Sequence, residues 1–417
     1  MSEMLEKARN YETEKQVYVK KTTKPLFHVT APTGWINDPN GFSVYDGKIH
    51  LFYQYNPYQR EWGPMHWGHS VTDDMVRWEQ LPAAIAPDQE YDKAGCFSGS
   101  AIEADGKHVL VYTGVTRVKQ ADGSEQERQN QCIAFGDGKD YVKYEKNPVV
   151  TGEMLPEGCS RIDFRDPKIW READGTYSAV TVALTEDGSG AAVLFQSKDG
   201  FDWHFVTVLA RNNNVYGKMW ECPDFFPLDG KHVLMVGPME MRPSGEFHNG
   251  HNVIAFVGSY DEKTHTFTRE QVQLVDGGID FYATQTTQAP DGRRLMTAWL
   301  QTWSDTEDKP QGCKWFGQTI CPRELHLKDG HIVQTPVREL DAAHGKRTLH
   351  EDVTVQNETA LAGIGGRIAD LTVTVAAGEY RSFTVKLAAD AAYHTRLTYD
   401  PYTSLLTLDR SCAGSRA

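Results

Sequence analysis

A repeating unit of about 60 residues constrains the fold of this chain more than any other feature of its sequence. Short β-branched or aromatic runs recur from residue 28 to about residue 335, and most of them follow an Asp-Gly turn. Asp-Gly between apolar runs is typical of a β-hairpin. The five turns are Asp46-Gly47, Asp105-Gly106, Asp174-Gly175, Asp229-Gly230 and Asp291-Gly292.

A second recurrence runs in step with the hairpins and closes each unit with an aromatic residue. The closing aromatics are Trp78, Tyr144, Trp203 and Phe267. One four-stranded blade with generous loops has this length, so the repeat predicts an all-β fold, a five-bladed β-propeller over residues 24–337. A β-sandwich is the alternative, but it does not predict a repeat of this length.

The two ends of the chain differ from this repeat. Residues 1–23 are polar and predict a short N-terminal helical segment. Residues 338–417 contain alternating runs at 352–355, 371–375, 382–387 and 405–409, which predict a second, all-β domain. The sequence stops directly after the last run.

Charge and cysteine usage exclude several classes of protein. The net charge of −14 argues against nucleic acid or an anionic membrane surface as a partner. The first 15 residues are charged and lack the apolar core of a secretory signal, and no stretch approaches the roughly 20 apolar residues of a membrane span. Seven scattered cysteines without a Cys-x-x-Cys pair favour free thiols and a cytoplasmic location.

Residues 35–41, Trp-Ile-Asn-Asp-Pro-Asn-Gly, contain the first candidate for chemistry. Pro39 keeps Asp38 out of a helix, and Pro-Asn-Gly predicts a tight turn that presents the carboxylate at a strand end. Trp35 and Asn37 beside it offer an apolar face and a polar group, as a site for a polyhydroxylated ring requires. The alternative is an ordinary surface turn.

Two further acids share the downstream proline of Asp38. Arg165 precedes Asp166 and is expected to hold that carboxylate ionised. Glu221 lies between Trp220 and Cys222, apolar surroundings that favour the protonated carboxyl of a general acid. A propeller brings acids from three blades to one funnel. This division of roles fits glycoside hydrolysis, with retention if the two reacting carboxyls are roughly 5–5.5 Å apart.

Four stretches in this order resemble the β-fructofuranosidases of glycoside hydrolase family 32: residues 35–41, 97–101 (Phe-Ser-Gly-Ser-Ala), 164–168 (Phe-Arg-Asp-Pro-Lys) and 220–223 (Trp-Glu-Cys-Pro). The resemblance covers residues 24–325. It implies a five-bladed propeller with a C-terminal β-sandwich over residues 338–417, and a double displacement on a fructofuranoside without metal or organic cofactor. Because the family's sandwich usually continues for several more strands, we expect an incomplete sandwich here, with unpaired edges that a partner chain could cap in a homo-oligomer.

The resemblance also implies residue roles. Asp38 would attack the anomeric carbon, Glu221 would protonate the leaving oxygen and then activate water, and Asp166 would stabilise the transition state. The implied sugar contacts are Trp35, Asn37, Gln54, Trp62, Phe97, Ser98, Arg165 and Trp299.

Some of these residues have plainer interpretations. Trp62 could pack within a blade, and the Gln54 amide could satisfy an internal hydrogen bond. His66 and His69 are expected to pack rather than to bind a metal. Cys222 is expected to pack and to tune its neighbours rather than to act as a nucleophile.

Three functions follow from the sequence, all with a small sugar as the partner. The first is hydrolysis of sucrose, sucrose 6-phosphate or short fructo-oligosaccharides. The second is a fructosyltransferase that uses the same covalent intermediate. The third, an inactive sugar-binding propeller, is disfavoured because all three acids are present. The choice of substrate and the oligomeric state are not predicted.

Overall fold

The chain forms two compact units in the computed structural model, which describes residues 1–306, 309 and 312–414. The first unit runs from Met1 to Thr306 and resumes through Glu339, and the second begins at Leu340. Regular structure is almost entirely β. None of the helices in the described part of the chain combines the length and apolarity needed to cross a membrane.

The helical elements are few and short. The described residues contain one α-helix, α1, and five 3₁₀ turns: α1 Glu3–Lys15, then Gln16–Tyr18, Lys21–Thr23, Gly152–Met154, Trp303–Asp305 and Arg338–Ala343. The strands of the first two blades are β1 Gly34–Tyr45, β2 Lys48–Asn56, β3 His66–Thr72, β4 Glu79–Ile85, β5 Gly95–Ala104, β6 Lys107–Lys119, β7 Glu125–Gly136 and β8 Tyr141–Lys143.

The remaining strands follow in chain order. They are β9 Cys159–Arg171, β10 Tyr177–Thr185, β11 Gly190–Ser197, β12 Trp203–Arg211, β13 Trp220–Leu228, β14 Lys231–Pro238, β15 Ile254–Asp261, β16 Thr266–Leu274, β17 Tyr282–Gln288, β18 Arg294–Trp299, β19 Trp315–Phe316, β20 Arg323–Lys328, β21 His331–Pro336, β22 Phe383–Leu387, β23 Thr395–Asp400 and β24 Leu405–Asp409.

Five antiparallel sheets form the blades of the first unit. They are β1–β4, β5–β8, β9–β12, β13–β16, and β17 with β18, β20 and β21. Their first strands β1, β5, β9, β13 and β17 pack in sequence, and β17 returns to β1. This closed ring is a five-bladed β-propeller, which confirms the fold class predicted from the repeat.

The predicted Asp-Gly turns occupy one equivalent place in the propeller. In all five blades the turn joins the innermost strand to the second strand. Asp46, Asp105 and Asp229 adopt positive φ together with the glycines that follow them. Two successive residues with positive φ match the twist of a two-residue hairpin, which explains why Asp-Gly recurs at this place.

The ring closes through backbone pairing between distant segments. Strand β19 pairs in parallel with the start of β1, with Gly34 opposite Trp315 and Trp35 opposite Phe316. Gly34 has a φ of +79°, and a Cβ atom there would lie 2.1 Å from the carbonyl oxygen of Asn56. Glycine is required at this position because both the conformation and the close approach exclude a side chain.

The hydrophobic core lies between neighbouring blades. Each interface buries side chains from the two sheets that face each other. Representative pairs, from the first interface to the fourth, are Phe52 with Tyr112, Ile133 with Phe195, Leu194 with Leu234, and Met235 with Met296.

Helix α1 covers the outer edge of the first blade. Ser2 caps the helix by accepting a hydrogen bond from the Leu5 amide at 3.2 Å. Arg9 Nε donates to the Ala83 carbonyl at 2.9 Å, and the Ala83 amide donates to Glu12 Oε2 at 3.2 Å. The helix therefore satisfies backbone groups of β4 that an exposed edge strand would leave unpaired.

The second unit contains one three-stranded antiparallel sheet, β22–β24. The predicted strands at 382–387 and 405–409 are present. Residues 352–355 and 371–375 form no strand, so that part of the prediction is wrong. Their side chains, such as those of Val355 and Val373, are exposed, and an alternating pattern stabilises a strand only where one face is buried.

Candidate active site

The innermost strand of each blade is interrupted by a β-bulge, and the bulges surround one cavity. Pairing shifts between Ile36 and Pro39 in β1, and at the corresponding places in the other four inner strands. Those places are Phe97 to Gly99, Arg165 to Lys168, Glu221 to Asp224, and Tyr282 to Gln285. A bulge adds a residue to one strand and redirects its side chain, so these side chains turn toward the centre of the ring.

The prolines of the sequence motifs lie within two of these bulges and directly after a third. Pro167 and Pro223 need no ladder hydrogen bond there, because a bulge leaves a residue unpaired, whereas Pro39 follows its bulge directly and pairs with Tyr53. The predicted tight turn at residues 39–41 is therefore wrong. Strand β1 is continuous from Gly34 to Tyr45, since the ladder to β2 resumes at Pro39 and Asn40 after the bulge.

A cavity of about 580 Å³ lies where the bulges meet. Nine of the residues selected from the sequence line it: Asn37, Asp38, Gln54, Trp62, Phe97, Ser98, Arg165, Asp166 and Glu221. Gln54 also donates to the Cys96 carbonyl at 3.0 Å, so it makes an internal hydrogen bond and lines the cavity as well. Trp62 is exposed and makes an edge contact with Phe97 at 5.8 Å between ring centroids.

Trp35 and Trp299 are absent from the cavity wall, contrary to the expectation that they contact sugar. Both indoles are buried. Trp35 stacks on Phe316 and donates from Nε1 to Asn37 Oδ1 at 2.8 Å. Trp299 packs against Trp35 and against Trp303, which does line the cavity. These tryptophans lie behind the site, because Trp35 pairs with Phe316 of β19 and Trp299, at the end of β18, forms a bridge to Thr319.

Asp38 is held by donors from three blades. Its carboxylate accepts from Ser98 Oγ at 2.7 Å and from Asn37 Nδ2 at 2.9 Å, and Cys222 Sγ lies 3.5 Å from Oδ2. Burial, followed by the negative charge of Glu221, raises the pKa of Asp38, while these three donors lower it. The hydrogen bonds fix the direction of the carboxylate.

Asp166 lies deeper than the other two acids, with 6% of its side chain exposed. It accepts from the Cys222 amide at 2.9 Å, and its own amide donates to Thr113 Oγ1 at 2.9 Å. Burial raises its pKa and outweighs the lowering effect of Arg165, whose Nε is 3.9 Å from Oδ2. Arg165 therefore favours the ionised carboxylate, as expected, but burial and the charges of Glu221 and Asp38 give a net upward shift of the pKa.

Glu221 is bound by a cation and a phenol rather than surrounded by apolar groups. Arg165 Nη2 donates to Glu221 Oε1 at 3.2 Å, and Arg165 Nη1 donates to Asp163. The Tyr282 hydroxyl lies 2.7 Å from Glu221 Oε2 and 3.0 Å from the Gly237 carbonyl. The sequence neighbours did not predict this environment, because Arg165 and Tyr282 reach Glu221 from other blades.

Cys222 connects the three acids without taking part as a nucleophile. Its thiol faces Asp38, its amide faces Asp166, and its φ of +48° allows both contacts. Burial raises the pKa of its thiol well above the usual range, which disfavours the reactive thiolate. The packing interpretation from the sequence agrees with this position.

Several residues of the wall have no motif in the sequence. They are Gln126, Glu127, Gln129, Ile162, Asp163, Met239, His251 and Trp303. Tertiary structure alone brings them to the cavity. His66 and His69 lie outside it, where His66 Nδ1 contacts the Pro64 carbonyl and His69 Nε2 contacts His50. Within the described ranges, no group of three or more His, Cys, Asp and Glu side chains is placed to hold a metal ion.

The fold and the site together define a five-bladed β-propeller with a funnel lined by carboxyl groups from four blades. Residues 28–336 match the family described as the glycosyl hydrolases family 32 N-terminal domain. The chain belongs to this family.

Relatives and solved structures agree with this assignment. The chain is 39% identical to a sucrose-6-phosphate hydrolase of Zymomonas mobilis over 80% of its length, and 38% identical to a raffinose invertase of Escherichia coli over 78%. It spans 65% and 67% of those two proteins. A β-fructofuranosidase of Bombyx mori has a TM-score of 0.74 at 36% identity, covering 82% of this chain and 71% of that one. The sucrose-6-phosphate hydrolase of Lactobacillus gasseri has a TM-score of 0.80 at 26% identity, covering 97% and 81%.

Proposed function

We propose that this protein is a β-fructofuranosidase that cleaves terminal β-D-fructofuranosides by double displacement. The observation that carries the proposal is the convergence of Asp38, Asp166 and Glu221 on one cavity, with Cys222 in contact with two of them. The names of the relatives support the substrate class, because they act on sucrose 6-phosphate or are described as invertases.

In the first step Asp38 attacks the anomeric carbon of the fructosyl ring, and a carbon–oxygen bond to the carboxylate forms. The glycosidic bond breaks, and the leaving oxygen takes a proton from Glu221. The hydrogen bonds from Ser98 and Asn37 support this role because they orient the carboxylate before the sugar arrives.

In the second step Glu221 takes a proton from water, and the water oxygen attacks the same carbon and frees Asp38. Arg165 and Tyr282 support this role because both hydrogen-bond to the Glu221 carboxyl group and fix its direction. Asp166 completes the mechanism by binding ring hydroxyls and stabilising positive charge in the transition state.

The first experiment is a time course of free glucose and free fructose from sucrose. Equal amounts are expected for a hydrolase, and an excess of glucose would indicate transfer of fructose to a sugar acceptor. If sucrose, sucrose 6-phosphate and short fructo-oligosaccharides all remain intact, the proposal is wrong.

Two isosteric variants test the roles of the acids. Asp38→Asn is expected to abolish turnover and to retain sugar binding, because the shape of the cavity is kept. Glu221→Gln slows both proton transfers, so Asp38 should carry a fructosyl group visible in the intact mass under steady turnover. Asp202→Asn, at an exposed position of the third blade, is the matched control and should change neither readout. Full activity in Asp38→Asn would exclude it as the nucleophile.

The cysteines bear on the proposed location. All seven are free thiols, and four of them are at least partly exposed: Cys159, Cys313, Cys321 and Cys412. Unpaired thiols support a reducing compartment such as the cytoplasm as the place of action.

A further inference from the structure

The cavity wall carries an excess of acidic side chains. Among the described residues that line it, five have a carboxyl group: Asp38, Glu127, Asp163, Asp166 and Glu221. The basic groups on the same wall are the guanidinium of Arg165 and the imidazole of His251. Relatives of this chain are named for a phosphorylated substrate, and a phosphate dianion needs positive charge close to it.

Neither basic group is free to receive a phosphate. Arg165 is 11% exposed and already donates to Asp163 and Glu221, and its Nη2 also lies 3.8 Å from Met239 Sδ. Burial lowers the pKa of His251, which favours the neutral imidazole near neutral pH. His251 Nδ1 has no hydrogen-bond partner in the structure, and a neutral ring nitrogen suits a sugar hydroxyl.

The exposed fraction of the acidic side chains increases from the floor of the cavity to its mouth. Asp166 and Glu221 are 6% and 20% exposed, whereas Asp163 and Glu127 are 36% and 41% exposed. The fructosyl ring must reach the buried acids for reaction. The rest of the substrate then extends toward the mouth, where Glu127 and Asp163 lie. Arg117 is 3.7 Å from Glu127 Oε1, so its charge is directed to that carboxylate, and it is not part of the wall.

Resting on the proposed function, we propose that Glu127 and Asp163 select substrate by charge, so that this enzyme takes uncharged fructosides such as sucrose and rejects their phosphate esters. Glu127 is the specificity-determining residue that a substitution can test. Asp163 also holds Arg165, so its replacement would disturb the acid groups on the floor.

The first measurement compares kcat/KM for sucrose and sucrose 6-phosphate on the full chain. Sucrose is expected to be the better substrate. Added salt screens charges beyond about 8 Å at physiological ionic strength, so it should raise kcat/KM for the phosphate ester and leave the value for sucrose unchanged. A higher kcat/KM for sucrose 6-phosphate at low salt would overturn the proposal.

The second measurement is the ratio of the two kcat/KM values in Glu127 variants. Removal of one charge near the dianion should shift the ratio toward sucrose 6-phosphate by roughly fivefold in Glu127→Gln, and further in Glu127→Lys, which also leaves Arg117 unpaired. Glu79→Gln removes an exposed glutamate of the first blade that does not line the cavity, and should leave the ratio unchanged. An unchanged ratio in both Glu127 variants would overturn the role of this residue.

A binding measurement distinguishes failure of this proposal from failure of the proposed function. Calorimetric titration of the Asp38→Asn variant with sucrose and with sucrose 6-phosphate measures the charge preference without turnover. If the native enzyme hydrolyses neither sugar, the proposed function fails, while weaker binding of the phosphate ester still supports selection by charge. Tighter binding of the phosphate ester would contradict it.

Discussion

Replacement of the buried Glu12 by glutamine should make the stability of the propeller depend differently on pH. Glu12 lies on α1 with 5% of its side chain exposed, and it accepts from the Ala83 amide at 3.2 Å. Burial raises its pKa from 4.5 to about 7, against smaller lowering effects from Ala83, Tyr55 and Arg9. The folded chain therefore holds a proton that the unfolded chain releases between these two values.

This difference in proton binding determines whether the free energy of unfolding rises or falls with pH. Below pH 4.5 the carboxyl is protonated in both states, so its full contribution to stability is present. As the pH rises from 4.5 to 7, the unfolded state gains from ionisation and the free energy of unfolding falls. A shift from 4.5 to about 7 corresponds to about 3 kcal/mol, at 1.36 kcal/mol per pKa unit. Above pH 7 the loss is complete.

Glutamine keeps the acceptor for Ala83 and does not titrate. The free energy of unfolding of Glu12→Gln, relative to the native protein, should therefore increase by about 3 kcal/mol between pH 4.5 and 7. Urea denaturation followed by tryptophan fluorescence at several pH values measures this difference. Glu14→Gln, at an exposed position of the same helix, is the matched control. A difference that stays constant across this pH range would refute the reasoning.

Three further changes test other parts of the structure. Burial lowers the pKa of His50 to about 4, so between pH 6.5 and 4 the unfolded chain binds a proton that the folded chain does not bind. The free energy of unfolding should therefore fall as the pH drops from 6.5 to 4. In urea titrations of His50→Gln, the free energy of unfolding should depend less on pH over this range. Gly34→Ala should lower the free energy of unfolding by at least about 2 kcal/mol, because its Cβ would lie 2.1 Å from a carbonyl oxygen, whereas Gly47→Ala has a similar positive φ but open space and should cost about 1 kcal/mol in the same urea assay. Tyr282→Phe should reduce kcat/KM on sucrose about tenfold by removing the hydroxyl 2.7 Å from Glu221, and unchanged kinetics would show that this hydrogen bond has no role in proton transfer.

The sequence predicted features that depend on neighbouring residues, and it failed where pairing between distant segments decides the structure. Asp-Gly turns were predictable because a two-residue hairpin depends on the φ of the two residues themselves. The turn predicted at residues 39–41 was wrong because β2 and β3 complete a sheet around that segment, and pairing with distant strands outweighs local turn preference. The strands predicted at 352–355 and 371–375 failed for a related reason, since alternation has no effect without a partner face.

The candidate site divides in the same way. The acids and several of their immediate neighbours were predictable from four short motifs. The electrostatic surroundings were not, because they come from residues of other blades, such as Tyr282 beside Glu221 and the Cys222 amide beside Asp166. Trp35 and Trp299 were misplaced, since sequence alone does not distinguish a tryptophan on a cavity wall from one buried behind it.

The sequence by itself determined the number of blades, the place of the hairpins and the identity of the three acids, because each depends on a short segment or on a regular period. Tertiary structure decided how these acids are oriented and charged. Five bulges direct side chains to one cavity, burial raises the pKa of Asp38 and Asp166, and Glu127 and Asp163, which belong to no motif, also line the wall. Orientation, desolvation and charge proximity are properties of atoms far apart in the chain, so only the closed ring of blades determines them.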